Sequence, residues 1–235
     1  MMLMPSDRDY KVTKSIKCGK RVLDSPYYEL AQWIKFEFNA VVLNIYYDLI
    51  KPENRPRLNI VFEFENDNVK FNNDQLGGYN EEKQKIIAKK FIETLRDFRL
   101  KDKKWFGRIV ERTYFGLDTK NMWVTFSSFE NIAKQEVVSK ISEIEMKKLK
   151  DKLNDKQIWE ISNFSGFLTL FYFTEDQVIK SKETEIDKML REEFYEIISK
   201  YDEFNYFTKE GIQINFDSKE NFDKNYESNW FYYYR

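Results

Sequence analysis

Apolar residues recur along the chain with two different periods, and the period separates strands from helices. Leu58, Ile60, Phe62 and Phe64 share one side of an alternating run, with Asn59, Glu63 and Glu65 on the other. A repeat of two predicts a half-buried strand over residues 57–65. Residues 40–50 are rich in β-formers and predict the strand before it, with Pro52 and Pro56 punctuating the connection. Residues 12–17 predict an opening strand. Ser25-Pro26 reads as an N-cap followed by proline in the first helical position, and Leu30, Trp33 and Ile34 then keep helical spacing to about residue 38.

The period of three to four returns after Gly77 and Gly78. Asn80 predicts a cap, Glu81 and Glu82 suit the positive end of a helix dipole, and Ile86, Ile87, Phe91, Leu95 and Phe98 form an apolar stripe. Residues 105–117 read as a strand or hairpin, and residues 122–126 as a short strand. One long helix is predicted over residues 130–153, with Val137, Ile141, Leu149 and Leu153 in register. Residues 158–161 and 167–173 predict a hairpin turning through Asn163-Phe164-Ser165-Gly166. Thr184 predicts the cap of a helix whose stripe runs through Ile186, Leu190, Phe194, Ile198 and Tyr201. Alternating Ile212, Ile214 and Phe216 predict a strand, and the aromatic run at residues 230–234 predicts a last one.

Residues 124–134 align without a gap on residues 214–224, identical at Phe126/Phe216, Ser128/Ser218, Glu130/Glu220, Asn131/Asn221 and Lys134/Lys224. Each copy follows two strands and an amphipathic helix, which favours a duplication. The fold class expected is therefore α+β, built from two related halves, residues 1–127 and 128–235, with one continuous domain as the alternative. The first half reads in the β-α-β-β-α-β order of ferredoxin-like folds. Antiparallel or mixed sheets with helices packed on one face follow from that order.

Composition narrows the chemistry. The chain has 235 residues, 42% hydrophobic and 17% aromatic, so it can bury a core without metal or disulfide staples. It contains no histidine, which removes Ser-His-Asp and Cys-His catalysis and imidazole metal ligation. Its single cysteine, Cys18, excludes an internal disulfide and reads as a buried thiol in a reducing compartment. No apolar run approaches the roughly 20 residues of a membrane span. With a formal charge of −1 the chain reads as a cytoplasmic protein without a membrane partner or cofactor.

Charge is nevertheless uneven. Residues 83–104 hold nine lysines and arginines against three acids, beside Trp105 and Phe106, a combination that suits nucleic-acid phosphates and stacked bases. Residues 183–227 hold thirteen acids against six bases, including Glu192, Glu196, Asp202 and Glu203. Solvated helix faces give the same pattern. In a strand, Trp230, Tyr232 and Tyr234 would face one way, and Phe231, Tyr233 and Arg235 the other. Tyr, Trp and Arg are the residues enriched where proteins bind proteins. Glu63, Glu65 and Asp67 form an alternative carboxylate site, able to hold a divalent cation, or to be the polar face of an ordinary strand. Gly77-Gly78 matches no phosphate-loop pattern and reads as a turn.

The function these features favour is non-catalytic protein binding, of the kind a bacterial immunity protein or antitoxin performs by covering a basic active site with an acidic surface. A carboxylate-dependent metal-assisted hydrolase, either phosphodiesterase or glycosidase, and a nucleic-acid binder using residues 83–104 are the alternatives.

Overall fold

The computed structural model describes residues 4–73, 78–101, 121–164, 167–181 and 186–235. It is an α+β protein with two three-stranded mixed sheets, and the chain divides into two compact units, Met1–Ile132 and Ala133–Arg235. The expected strand or hairpin at residues 105–117, together with Gly77, Trp105, Phe106 and Thr184, lies outside the described residues.

The first unit opens with helix α1 (Arg8–Lys17), where the sequence predicted a strand. Tertiary contacts decide the difference. The Tyr10 ring stacks on Phe129 at 5.4 Å, and the Asn44 side-chain amide donates to the Thr13 hydroxyl at 2.8 Å. Cys18 is half-buried at the end of this helix. Helix α2 (Tyr27–Phe38) follows, then strands β1 (Val42–Ile50) and β2 (Arg55–Phe62), a short helix α3 (Glu65–Asn68), the long helix α4 (Glu81–Lys101) and strand β3 (Trp123–Ser128). β2 is central, antiparallel to β1 and parallel to β3. Ile45, Leu58, Ile60, Phe62, Val124 and Phe126 face α2 and α4 in one buried core. The opposite face is polar: Arg57 bridges to Asp48, Asn59 donates to Asp48, and Thr125 donates to Asn59 at 2.8 Å.

The expected 130–153 helix is two helices, α5 (Phe129–Lys140) and α6 (Glu143–Leu153). Ser142 breaks the run because it forms a capping box: its hydroxyl accepts from the Glu145 N–H at 3.3 Å, and the Glu145 carboxylate accepts from the Ser142 N–H at 3.0 Å. These bonds hold the Glu145 carboxyl below its usual range. Strands β4 (Ile158–Phe164) and β5 (Phe167–Tyr172), helices α7 (Glu175–Ser181) and α8 (Ile186–Ser199), strand β6 (Ile214–Ser218) and helix α9 (Lys219–Tyr226) follow in the second unit. α7 carries no signal that periodicity detected. β5 is central, antiparallel to β4 and parallel to β6, and Leu149, Leu168, Leu170, Leu190, Phe194 and Ile198 form its core. Burying each such side chain contributes about 1.5–3 kcal/mol.

The two sheets share connectivity, pairing sense and a bulge at the same place, between Val42 and Asn44 in β1 and between Ile158 and Glu160 in β4. Each described sheet has three strands, so neither unit shows the fourth that a ferredoxin-like order requires. The aligned Ser-x-Glu-Asn segments do the same work twice. Ser128 caps α5 through the Asn131 N–H at 3.2 Å, and Ser218 caps α9 through the Asn221 N–H at 2.9 Å. Glu130 then accepts from the Glu65 N–H at 3.0 Å, and Glu220 from the Glu175 N–H at 3.2 Å, tying each helix to the turn beyond the central strand.

Residues 230–234, predicted as a strand, form helix α10 (Trp230–Tyr233). Asn229 caps it by accepting from the Phe231 N–H at 2.9 Å. A helical turn lets neighbouring rings converge on one patch of sheet, which an alternating strand would divide between two faces.

Candidate functional site

Helix α10 covers the face of the second sheet opposite the aliphatic core. Trp230 stacks parallel on Trp159 at 5.9 Å and lies 4.4 Å from Phe222. Tyr233 packs edge-on against Phe171 at 5.2 Å and donates to the Asp217 carboxylate at 2.6 Å. Burial first, and that carboxylate next, push the Tyr233 phenol well above its ordinary range. Tyr234 stacks on Phe164 at 4.3 Å. One side of this cluster is core, since Phe171 and Phe222 are 0% and 3% exposed. The other side is open: Trp230, Phe231, Tyr232, Phe164 and Phe167 are 38%, 69%, 45%, 48% and 51% exposed.

Two recesses meet at Trp230. One of about 520 Å³ is lined by Ser162, Phe164, Trp230, Phe231, Tyr234 and Arg235. The other, about 830 Å³, runs between α6 and β4. Glu143, Met146, Lys147, Lys150 and Asp151 line it from one face of α6, and Glu160, Ile161, Ser162 and Asn163 from the strand.

Of the sequence-predicted residues, Trp230, Tyr234 and Arg235 line these recesses, and Tyr232 stands exposed beside Phe231. The acids lie elsewhere in the unit. Glu192 and Glu196 are exposed on α8, with Glu192 3.4 Å from Lys209; the Asp202 carboxylate accepts from the Phe207 N–H at 2.8 Å; Glu203 is exposed on the following turn. None of them lines either recess. Sequence reading missed Trp159, Phe164 and the groove face of α6. The signal available was Phe164 and Phe167, two large rings within and directly after the predicted turn.

β2 ends at Phe62, so Glu63 and Glu65 do not extend a strand face. Glu63 pairs with Lys17, Glu65 accepts from the Asn131 amide at 2.7 Å, and Asp67 accepts from the Val41 N–H at 2.8 Å. Among the described residues no cluster of three or more acidic or cysteine side chains is placed to hold a metal ion. In α4, Lys85 pairs with Glu81 at 3.4 Å, Lys90 with Glu93 at 3.8 Å, and Lys83 donates to the Lys70 carbonyl. No helix among the described residues is long and apolar enough to cross a membrane.

A charged cluster that the sequence did not announce lies on the polar face of the first sheet. Asp48 is hydrogen-bonded by Arg57, which lowers its pKa, whereas burial and the nearby Asp48 charge raise that of Asp9. The Tyr46 phenol is raised by burial and by Asp9.

Comparison with protein-family models, with curated proteins and with solved structures finds no match to this chain.

Proposed function

We propose that the chain works by binding another protein through the aromatic surface around α10. The observation that carries this reading is the open side of the cluster, where Trp230, Phe231, Tyr232, Phe164 and Phe167 leave large rings in solvent above a rigid packed base. Clustered exposed aromatics mark interaction sites, and rings already held by their neighbours lose little conformational entropy on contact. The exposed acids Glu192, Glu196 and Glu203 in the same unit fit a basic partner, whose approach they would speed. An inhibitor of the immunity or antitoxin type is the setting these two features suit. The shared bulge and the shared Ser-x-Glu-Asn latch support treating the two units as related copies.

Affinity capture from host lysate with the wild-type chain and a Phe231→Ser/Tyr232→Ser variant tests the reading. Both side chains are exposed, so the variant keeps its fold. A stoichiometric protein recovered by the wild type and lost by the variant is the expected result. Recovery of nucleic acid, or of the same protein by both chains, would overturn it.

A further inference from the structure

The second unit contains an edge strand with a helix standing beside it and a groove between them. Among the described residues β4 pairs only with β5, in the sheet order β4-β5-β6, leaving its other edge toward the groove. Four consecutive residues, Glu160 to Asn163, line that groove, which happens when a cavity follows a strand's edge; one face of a strand would contribute alternate residues only. The opposite wall is one face of α6, continued by Val138 and Ser139 at the end of α5 and by Ile141 between the two helices.

The main-chain groups on this edge are held by exchangeable partners. The Ile161 N–H donates to the side chain of Glu160 at 3.0 Å, and the Trp159 carbonyl accepts from the Lys150 ammonium. Main-chain groups alternate between inner and outer edges of an antiparallel strand, so those of Asn163 share the outward direction of Ile161. The side-chain oxygen of Asn163 is buried and has no hydrogen-bond partner among the described residues. An acceptor left in that state costs about 1–3 kcal/mol and is satisfied by a donor brought from outside.

We propose that the partner is held here by strand addition: an extended segment of another protein pairs with the outer edge of β4, between that strand and α6. The inference rests on the protein-binding reading above and specifies its mode. The occupant's chemistry follows from the walls. Its backbone carbonyl replaces the Glu160 carboxylate at the Ile161 N–H, a donor from the segment satisfies the Asn163 side chain, and large apolar side chains at every second residue seat in the recess by Trp230. Glu160 and Lys150 are long flexible side chains, and they guard the edge against indiscriminate pairing until displaced.

Random dodecapeptides displayed on phage and selected against the full chain supply the probe. Selected sequences are expected to carry large apolar residues at alternate positions and to protect the Ile161 and Asn163 amides from hydrogen exchange. N-methylation at alternate residues of the synthetic peptide removes two ladder bonds in one register and none in the other, so one register weakens binding roughly 100-fold and the other leaves it within a few-fold. Equal tolerance of both registers, exchange protection away from β4, or an empty selection would each overturn strand addition. Tolerance of both registers, with binding still lost in the Phe231→Ser/Tyr232→Ser variant, removes strand addition and leaves the aromatic surface standing. Binding indifferent to both changes removes the two readings together.

Discussion

The hydroxyl of Tyr234 donates to the Ser162 hydroxyl at 2.6 Å, tying the last helical turn to the edge strand of the second sheet. The same ring stacks on Phe164, so the tether is both polar and apolar. Tyr234→Phe keeps the stack and loses the bond, which lowers the stability of the second unit by about 0.5–1.5 kcal/mol. Removing residues 230–235 is far more costly, because Phe171 and Phe222 lose their cover. Urea denaturation followed by tryptophan fluorescence separates the two; equal midpoints for wild type and truncation would show that α10 does not hold the cluster.

A buried polar bond anchors α1 on the first sheet. The Asn44 amide donates to the Thr13 hydroxyl at 2.8 Å, with the two residues 3% and 0% exposed. Thr13→Val has nearly the same shape but strands the Asn44 amide, and the expected cost is about 1–3 kcal/mol. Thr13→Val/Asn44→Leu recovers part of it, since both partners are then apolar. A double-mutant cycle with no coupling between the two sites would refute the contact.

The Asp9 and Asp48 carboxyls respond to pH in opposite senses. Hydrogen bonds from Arg57 depress the folded-state pKa of Asp48, so its contribution is present above the ordinary carboxylate range and is lost as pH falls through the depressed value. Burial, and then the Asp48 charge, raise that of Asp9, so its ionised form costs stability at neutral pH and the cost disappears as pH falls through the raised value. Asp48→Asn therefore destabilises at neutral pH and Asp9→Asn stabilises, and both differences shrink toward about pH 2. Melting temperatures across that range read the result; two shifts of the same sign would contradict the geometry.

Ser128 and Ser218 occupy matching caps, so alanine at either is expected to cost about 1 kcal/mol while aspartate keeps most of the stability. Chemical denaturation of each variant checks this, and an unchanged midpoint for Ser218→Ala would remove the cap from α9. These caps were legible in sequence: a gapless repeat of Ser, Glu and Asn singled out the residues that close both sheets. The function of Glu130 and Glu220 was not, because each reaches a turn 65 or 45 residues away.

Local rhythm determined most of the elements. Helical spacing marked α2, α4 and α8, and alternation marked β2 and β6, because a side chain's burial repeats with the geometry of its own backbone. Where a segment satisfies two geometries, neighbours distant in sequence decide. Residues 12–17 became helix because Tyr10 meets Phe129 and Thr13 meets Asn44. Residues 230–233 became helix because their rings find Trp159, Phe171 and Phe222 on one patch. The groove is the most remote of these outcomes. Its walls need the Ser142 cap to end one helix and begin another, and its mouth needs Tyr234 to reach Ser162, 72 residues away. No spacing rule spans that distance, so the sequence by itself supplied the aromatic residues and the fold class, while tertiary packing alone set them beside an open strand edge.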